Sequence, residues 1–210
     1  MQKQSWRALG RIHNSKNQID SMFSHAAVPF AESIGGELYR VYFSSRDREN
    51  RSYTHSLILD IENPTRILDL DLVPILSPGD FATFDQDGAM ASWITQNGVY
   101  RNLYYIGWNN FPEKGIFQNS IGLAISKNNE PFQKVSNGPI LDRSIHDPSF
   151  VASCCVLKVE SEWRMWYLSC LGWESQNEKL IHKYHIKEAR SLDGMNWNRT
   201  GKITIDFSDK

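Results

Sequence analysis

The 210-residue chain has no apolar run of about 18 residues, which excludes a membrane-spanning helix. Its opening residues, Met1-Gln2-Lys3-Gln4-Ser5-Trp6-Arg7, lack the apolar stretch of a signal peptide. Cysteine is scarce: Cys154, Cys155 and Cys170 are an odd set with two adjacent, a poor disulfide framework that suits a reducing compartment, so the cytoplasm is expected. The sequons Asn50-Arg51-Ser52 and Asn198-Arg199-Thr200 then carry no meaning for glycosylation. An excess of either charge is also missing. With 23 basic and 24 acidic residues and a formal net charge of −1, nothing marks a nucleic-acid or anionic-membrane partner. No Gly-rich phosphate loop, nucleophile elbow or zinc-ligand spacing occurs. His182 and His185 are three apart, which in a strand places them on opposite faces and makes a weak metal pair. The cysteines read as small core residues.

Aromatic residues are abundant: 7 Trp, 8 Tyr and 10 Phe, 12% of the chain. Such rings fill cores and also make stacking platforms for sugars. Alternating, β-rich runs cover 37–44, 56–61, 89–96, 99–107, 120–126, 151–159 and 162–169. Turn pairs separate them, among them Gly35-Gly36, Asn97-Gly98 and Asp193-Gly194. No long segment has helical periodicity, and an all-β domain follows.

The chain also repeats itself. Tyr42-Phe43, Tyr104-Tyr105 and Trp166-Tyr167 are spaced 62 and 62 residues apart. Pro74-Ile75-Leu76 returns as Pro139-Ile140-Leu141, and Ile121 to Ser126 returns as Ile186 to Ser191. A fixed period of this length with about four strands per unit is the signature of a β-propeller, against the alternative of a β-sandwich with similar strands. The expectation is one partial propeller over 1–210, with blades near 5–62, 63–127 and 128–200. Lys202 to Phe207 would open a fourth at 201–210. Three blades are too few to close a ring, so either the chain is the first part of a longer one, about five units and roughly 310 residues, or it self-associates.

The inner strands of a propeller open at one mouth, where chemistry gathers. Counting back 17 residues from Tyr42 and from Tyr104 reaches His25 and Asp87, and 19 back from Trp166 reaches Asp147. Carboxylates crowded in a channel push their pKa values apart, the division of roles that glycosidic bond cleavage requires. The same Asp-Gly and Asp-Pro pairs also serve as ordinary turns. Charged loops follow the second strands: Arg46, Asp47 and Arg51 in the first unit, Trp108 and Asn109 in the second, Trp173 and Glu174 in the third. Planar donors and indoles suit sugar hydroxyls and rings, although Arg46, Asp47 and Arg51 also read as a surface ion cluster. Asp85 and His146 flank the two carboxylates as further substrate-binding candidates. Glu188, inside a strand, is expected to face solvent.

These motifs resemble something known. The blade pattern of an aromatic pair and Ser, a loop, then the run Ile186 to Trp197 resembles the five-bladed propeller glycosidases, a superfamily that includes glycoside hydrolase families 43, 32, 62, 68 and 130. Ser24-His25-Ala26, Tyr42-Phe43-Ser44-Ser45-Arg46-Asp47, Phe84-Asp85-Gln86-Asp87-Gly88 and Tyr105-Ile106-Gly107-Trp108-Asn109 resemble a bacterial group of uncharacterised glycosidase-like proteins associated with surface-polysaccharide synthesis. The resemblance implies a funnel holding two or three carboxylates, inverting in many family 43 members and retaining in families 32 and 68. It implies Asp87 as base or nucleophile and Asp147 as the orienting carboxylate, with the catalytic acid on a later unit that does not begin before Lys210. The expected function is a glycoside hydrolase or transglycosidase acting on a saccharide or polysaccharide. The alternatives are a non-catalytic carbohydrate-binding or scaffold propeller and a protein-interaction propeller. No organic cofactor is expected; a channel calcium ion is conceivable.

Overall fold

The computed structural model describes residues 5–177 and 179–206. Twelve strands make up the described fold: β1 (Ser24–Gly35), β2 (Leu38–Arg46), β3 (Ser52–Asp60), β4 (Ile67–Leu70), β5 (Ala89–Asn97), β6 (Tyr100–Phe111), β7 (Ile116–Lys127), β8 (Gln133–Lys134), β9 (Phe150–Val159), β10 (Glu162–Gln176), β11 (Lys179–Ser191) and β12 (Asn198–Ile205). They form three four-stranded antiparallel sheets, β1-β2-β3-β4, β5-β6-β7-β8 and β9-β10-β11-β12. Two single-turn 3-10 helices are the only helical pieces among the described residues.

The turns form where glycine lets the chain reverse. Asn97-Gly98 joins β5 to β6, and Gly98 takes φ 63°, a left-handed value that a side chain disfavours. Asp193 accepts the amides of Met195 at 2.8 Å and Asn196 at 2.7 Å, which turns β11 into β12.

Two sequence expectations change here. The stretch expected to open a fourth unit does not: residues 202–205 lie in β12, hydrogen-bonded to β11 as the outer strand of the third sheet, while Phe207 lies outside the described residues. The hairpins are also longer than their alternation suggested. β10 and β11 run on beyond Ser169 because Trp173 and His182 pack against Phe117 and Phe150, with ring centroids 4.9–6.0 Å apart.

The repeated aromatics fill the seams between sheets. Tyr42, Leu76, Ala89, Ala91, Leu103 and Tyr105 pack between the first two. Tyr104, Ile121, Leu123, Val151, Val156, Trp163 and Tyr167 pack between the second and third. Burying such rings, at about 25 cal/mol per Å² of apolar surface, is what sets one sheet on the next. Polar stitches fix the registration. Ser92 Oγ donates to the Cys154 carbonyl at 3.0 Å and accepts the Cys154 amide at 2.8 Å, tying β5 to β9. Thr54 Oγ1 bridges β3 to β5 in the same manner, at 2.8 and 2.9 Å.

The first strands of the three sheets converge. Val28 to Phe30, Ala91 to Trp93 and Ser153 to Cys155 line one apolar cavity of about 360 Å³. Each strand breaks its register there, in bulges at 27–30, at Ser92 and at Ser153.

Candidate functional site

The three candidates counted back from the aromatic pairs have different surroundings. Asp147 is completely buried, and its oxygens accept from Ser169 Oγ at 2.7 Å, Ser144 Oγ and Arg199 Nη1 at 3.0 Å, Tyr167 Oη at 3.2 Å and Lys187 Nζ at 3.3 Å. Burial by itself would raise its pKa. The hydroxyls of Ser169 and Ser144 and the Lys187 ammonium outweigh that and hold it below the usual carboxylate value. The carboxylate is therefore fully engaged by side chains of its own sheet, from β10, β11 and β12.

Asp85 has the same setting. It is 2% exposed and accepts from Lys134 Nζ at 2.6 Å, Thr83 Oγ1 at 2.9 Å and Tyr105 Oη at 3.0 Å. Asp85 and Asp147 are 62 residues apart, as are Tyr105 and Tyr167. In both sheets a buried Asp takes a Tyr hydroxyl from the second strand and a cation from an outer one. The two form a structural pair, a clamp that holds the loop before the inner strand across the sheet. The repeat-equivalent of Asp147 is thus Asp85, two residues from Asp87. Burial and the adjacent carboxylate push both tyrosine pKa values upward.

Asp87 is half-buried, and its carboxylate accepts one backbone amide, Asn110 N at 2.7 Å. Its own peptide bridges two sheets: the amide donates to Trp108 O at 3.1 Å, and the carbonyl accepts from Ser52 N at 2.9 Å. Gly88 beside it must be glycine, since a Cβ there would collide with Trp108 Nε1 and Ser52 Cβ. Trp108 is 5% exposed, and the Arg46 guanidinium lies 4.9 Å from its ring centroid. Arg46 pairs in register with Ser24, next to His25. His25 is exposed at φ 64°, with Nδ1 2.9 Å from Ser24 Oγ; burial and then the charge of Arg46 lower its pKa. His25 and Arg46 therefore lie side by side where β1 opens, Arg46 stacks on the buried Trp108, and the Trp108 backbone holds the Asp87 peptide.

The other candidates fall elsewhere or serve the scaffold. Asp47 is buried and accepts Arg51 N and Nε, both at 2.8 Å, and Tyr53 Oη at 3.2 Å, while Arg51 also pairs with Glu49 at 3.6 Å. Asp47 and Arg51 thus pair as the surface-cluster reading had it, but Asp47 is buried, and Arg46 turns instead to Trp108 and Asn50. Asn109 ties its Nδ2 to Thr83 O at 3.1 Å. The carbonyl of His146 accepts from Lys187, and its ring sits against Gly201 of β12, out toward the edge of the sheet. Trp173 belongs to the aromatic cluster of the long third hairpin, and Glu174 pairs with Lys183 at 3.0 Å. Glu188 is not turned freely to solvent: its side chain is 11% exposed and pairs with Arg190 at 3.0 Å and Lys202 at 3.8 Å.

Sequence reasoning did not single out Ser52, Arg48, Lys134, Lys187 or Arg199. The clamp was open to discovery, because the intervals Asp85 to Asp147 and Tyr105 to Tyr167 are both 62. Four buried polar atoms near Asp87 have no hydrogen-bond partner in the structure: Ser52 Oγ, Trp108 Nε1, Asn109 Oδ1 and Asn119 Oδ1. Among the described residues no group of three or more His, Cys, Asp or Glu is placed to hold a metal ion. None of their helices is long and apolar enough to cross a membrane.

No protein-family profile matches the chain. Two relatives do: the uncharacterised proteins MT1551 and Rv1502 of Mycobacterium tuberculosis (strains CDC 1551 / Oshkosh and ATCC 25618 / H37Rv). Each is 38% identical over 204 residues, which is 97% of this chain and 67% of the relative. Similar solved structures are glycoside hydrolases with propeller-like folds. One described as a glycoside hydrolase has a TM-score of 0.68 at 17% identity, covering 97% of this chain and 63% of its own. A second, a BT0996 RGII complex, has a TM-score of 0.69 at 16% identity, covering 98% and 63%. The Bombyx mori GH32 β-fructofuranosidase BmSUC1 has a TM-score of 0.57 at 16% identity, covering 85% and 35%. This chain spans less than two thirds of those solved structures.

Proposed function

The chain belongs to the family of the mycobacterial proteins MT1551 and Rv1502, and on that premise we propose that it is a carbohydrate-active propeller protein, a glycosidase working where β1 and β5 open. The propeller is taken to be of the five-bladed type, with these three sheets as blades, and its partner is a saccharide or polysaccharide. Three free cysteines suit a reducing compartment such as the cytoplasm. One observation carries the reading. Asp87, Arg46 and His25 are linked through the buried Trp108, on a fold of the kind found in glycoside hydrolases. There Asp87 is the base or nucleophile, held in orientation by the Asn110 amide. Arg46, backed by the buried Trp108 ring, positions the sugar hydroxyls.

The experiment is turnover of a panel of p-nitrophenyl glycosides and oligosaccharides by the wild-type protein and by Asp87→Asn. Loss of a positioned acid–base or nucleophilic group lowers turnover by at least about 10²-fold. Undiminished turnover in Asp87→Asn ends the assignment.

A second reading has its own observation. Glycoside hydrolysis uses two carboxyl groups, about 5–9.5 Å apart. Asp85 and Asp147 are buried and committed, leaving Asp87 as the solvent-accessible carboxylate of the three. A sugar-binding propeller without turnover follows if Asp87 has no partner. Saccharide binding by wild type and Asp87→Asn alike, with no hydrolysis in either, would select it.

A further inference from the structure

The first sheet lacks the clamp of the other two. Phe23 stands 62 residues before Asp85, and Phe43 stands 62 before Tyr105. Neither can form the Asp–Tyr bond, and the loop is held instead by Ser45 Oγ donating to Ser21 O at 2.5 Å. The loop before β1 therefore has no buried carboxylate in the clamp position. The residues gathered there are positive. Arg48 sits 4.4 Å over the Phe23 ring in place of a carboxylate partner. Arg46, half-buried, stacks on Trp108 and donates Nη1 to Asn50 Oδ1 at 2.8 Å.

Arginines within the sheets are paired: Arg40 with Asp71 at 3.0 Å, Arg101 with Glu32 at 2.5 Å and Arg199 with Asp147 at 3.0 Å. The nearby carboxylates of Asp47 and Glu49 are both taken by Arg51. Among the described residues, Lys16, Arg46 and Arg48 have no carboxylate within ion-pair distance. An open basin of about 720 Å³ lies among Asn14, Lys16, Phe23, Ser24, His25 and Arg48. It adjoins Arg46 through the Ser24–Arg46 pairing of β1 with β2. Beyond Arg46, buried Ser52 Oγ and Trp108 Nε1 stand beside Gly88 with no bonding partner.

A partly desolvated guanidinium without a counter-ion is unfavourable unless a ligand brings one. We propose that this basin receives the anionic group of an acidic saccharide, a uronate carboxylate or a sugar phosphate, with Arg48 and Lys16 in its wall and Arg46 beside it. The idea rests on the saccharide reading above and narrows it to acidic glycans. The charge balance of the whole chain conceals this patch, because the carboxylates beside it, Asp47 and Glu49, are both held by Arg51.

The test titrates the 210-residue protein with D-glucose, D-glucuronate, glucose 6-phosphate and inorganic phosphate, followed by calorimetry and NMR. The expected result is an acidic sugar bound at least about tenfold tighter than glucose, with glucuronate or glucose 6-phosphate preferred according to which anion the basin fits. Arg48→Gln should weaken that ligand by about tenfold. Arg48→Lys, which keeps the charge, should recover most of it, and unchanged melting of both exposed-site variants shows that folding is intact. Equal affinity for glucose and glucuronate with no gain for the phosphate ester would overturn the proposal, while leaving the glycosidase reading to its own assay. Inorganic phosphate bound as tightly as glucose 6-phosphate overturns the saccharide part, as does failure of all four probes to bind.

Discussion

Asp147→Asn should unfold the third sheet far more readily than Asp87→Asn unfolds the second. The substitution is nearly isosteric, and the new amide oxygen still accepts from Ser169 or Tyr167. It removes the negative charge that faces Lys187, whose side chain is 5% exposed, and Arg199, 18% exposed. Breaking a buried pair by deleting one partner costs about 3–5 kcal/mol, because the remaining charge stays in a poorly solvated site. Arg199 can still reach water, so the lower part of that range, about 3 kcal/mol, applies. Against a total of about 5–15 kcal/mol that is a large fraction. With a urea m-value of about 2–3 kcal/mol/M, the midpoint falls by about 1–1.5 M. Asp87→Asn forfeits one bond to a backbone amide, which an amide oxygen can still accept, and costs less than about 1 kcal/mol. Urea unfolding followed by tryptophan fluorescence and far-UV circular dichroism measures both. A double variant, Asp147→Asn with Lys187→Met, should regain part of the loss by removing the stranded cation. Equal midpoints for wild type and Asp147→Asn would refute the clamp.

Three further outcomes follow from the same structure. Asp147 has a folded pKa below its unfolded value, so its contribution is present above the ordinary carboxylate range and disappears as pH falls through the folded pKa; acid titration of stability should be flatter below pH about 4 in Asp147→Asn than in wild type. Burial pushes the Cys154 thiol up to about 12, and Cys170 is also buried, so mass-resolved iodoacetamide labelling of the native protein at pH 8 should modify the partly exposed Cys155 first; early labelling of Cys154 would contradict the β5–β9 seam. Gly88→Ala should cost about 1–3 kcal/mol by forcing Trp108 and Ser52 apart, seen as a lower melting temperature and altered tryptophan fluorescence.

What the residues settle without any coordinates is local. Alternation and β-branched or aromatic content mark the strands, because successive side chains face opposite sides of a sheet. Asn97-Gly98 marks its hairpin, and the 62-residue interval marks three equivalent units. Strand ends were less legible, since β10 and β11 extend on aromatic contacts with Phe117 and Phe150 of other strands. The orientation of a particular carboxylate was beyond local reading. Asp85, Asp87 and Asp147 all precede inner strands, and two are drawn down into their own sheets. The cations responsible, Lys134, Lys187 and Arg199, lie 40–52 residues further along the chain. Asp87 is left at the mouth because its neighbours there are a backbone amide and an indole. Charge pairing is satisfied across space rather than along the sequence, so only the packed sheets decided which carboxylate became scaffold and which stayed available to a ligand.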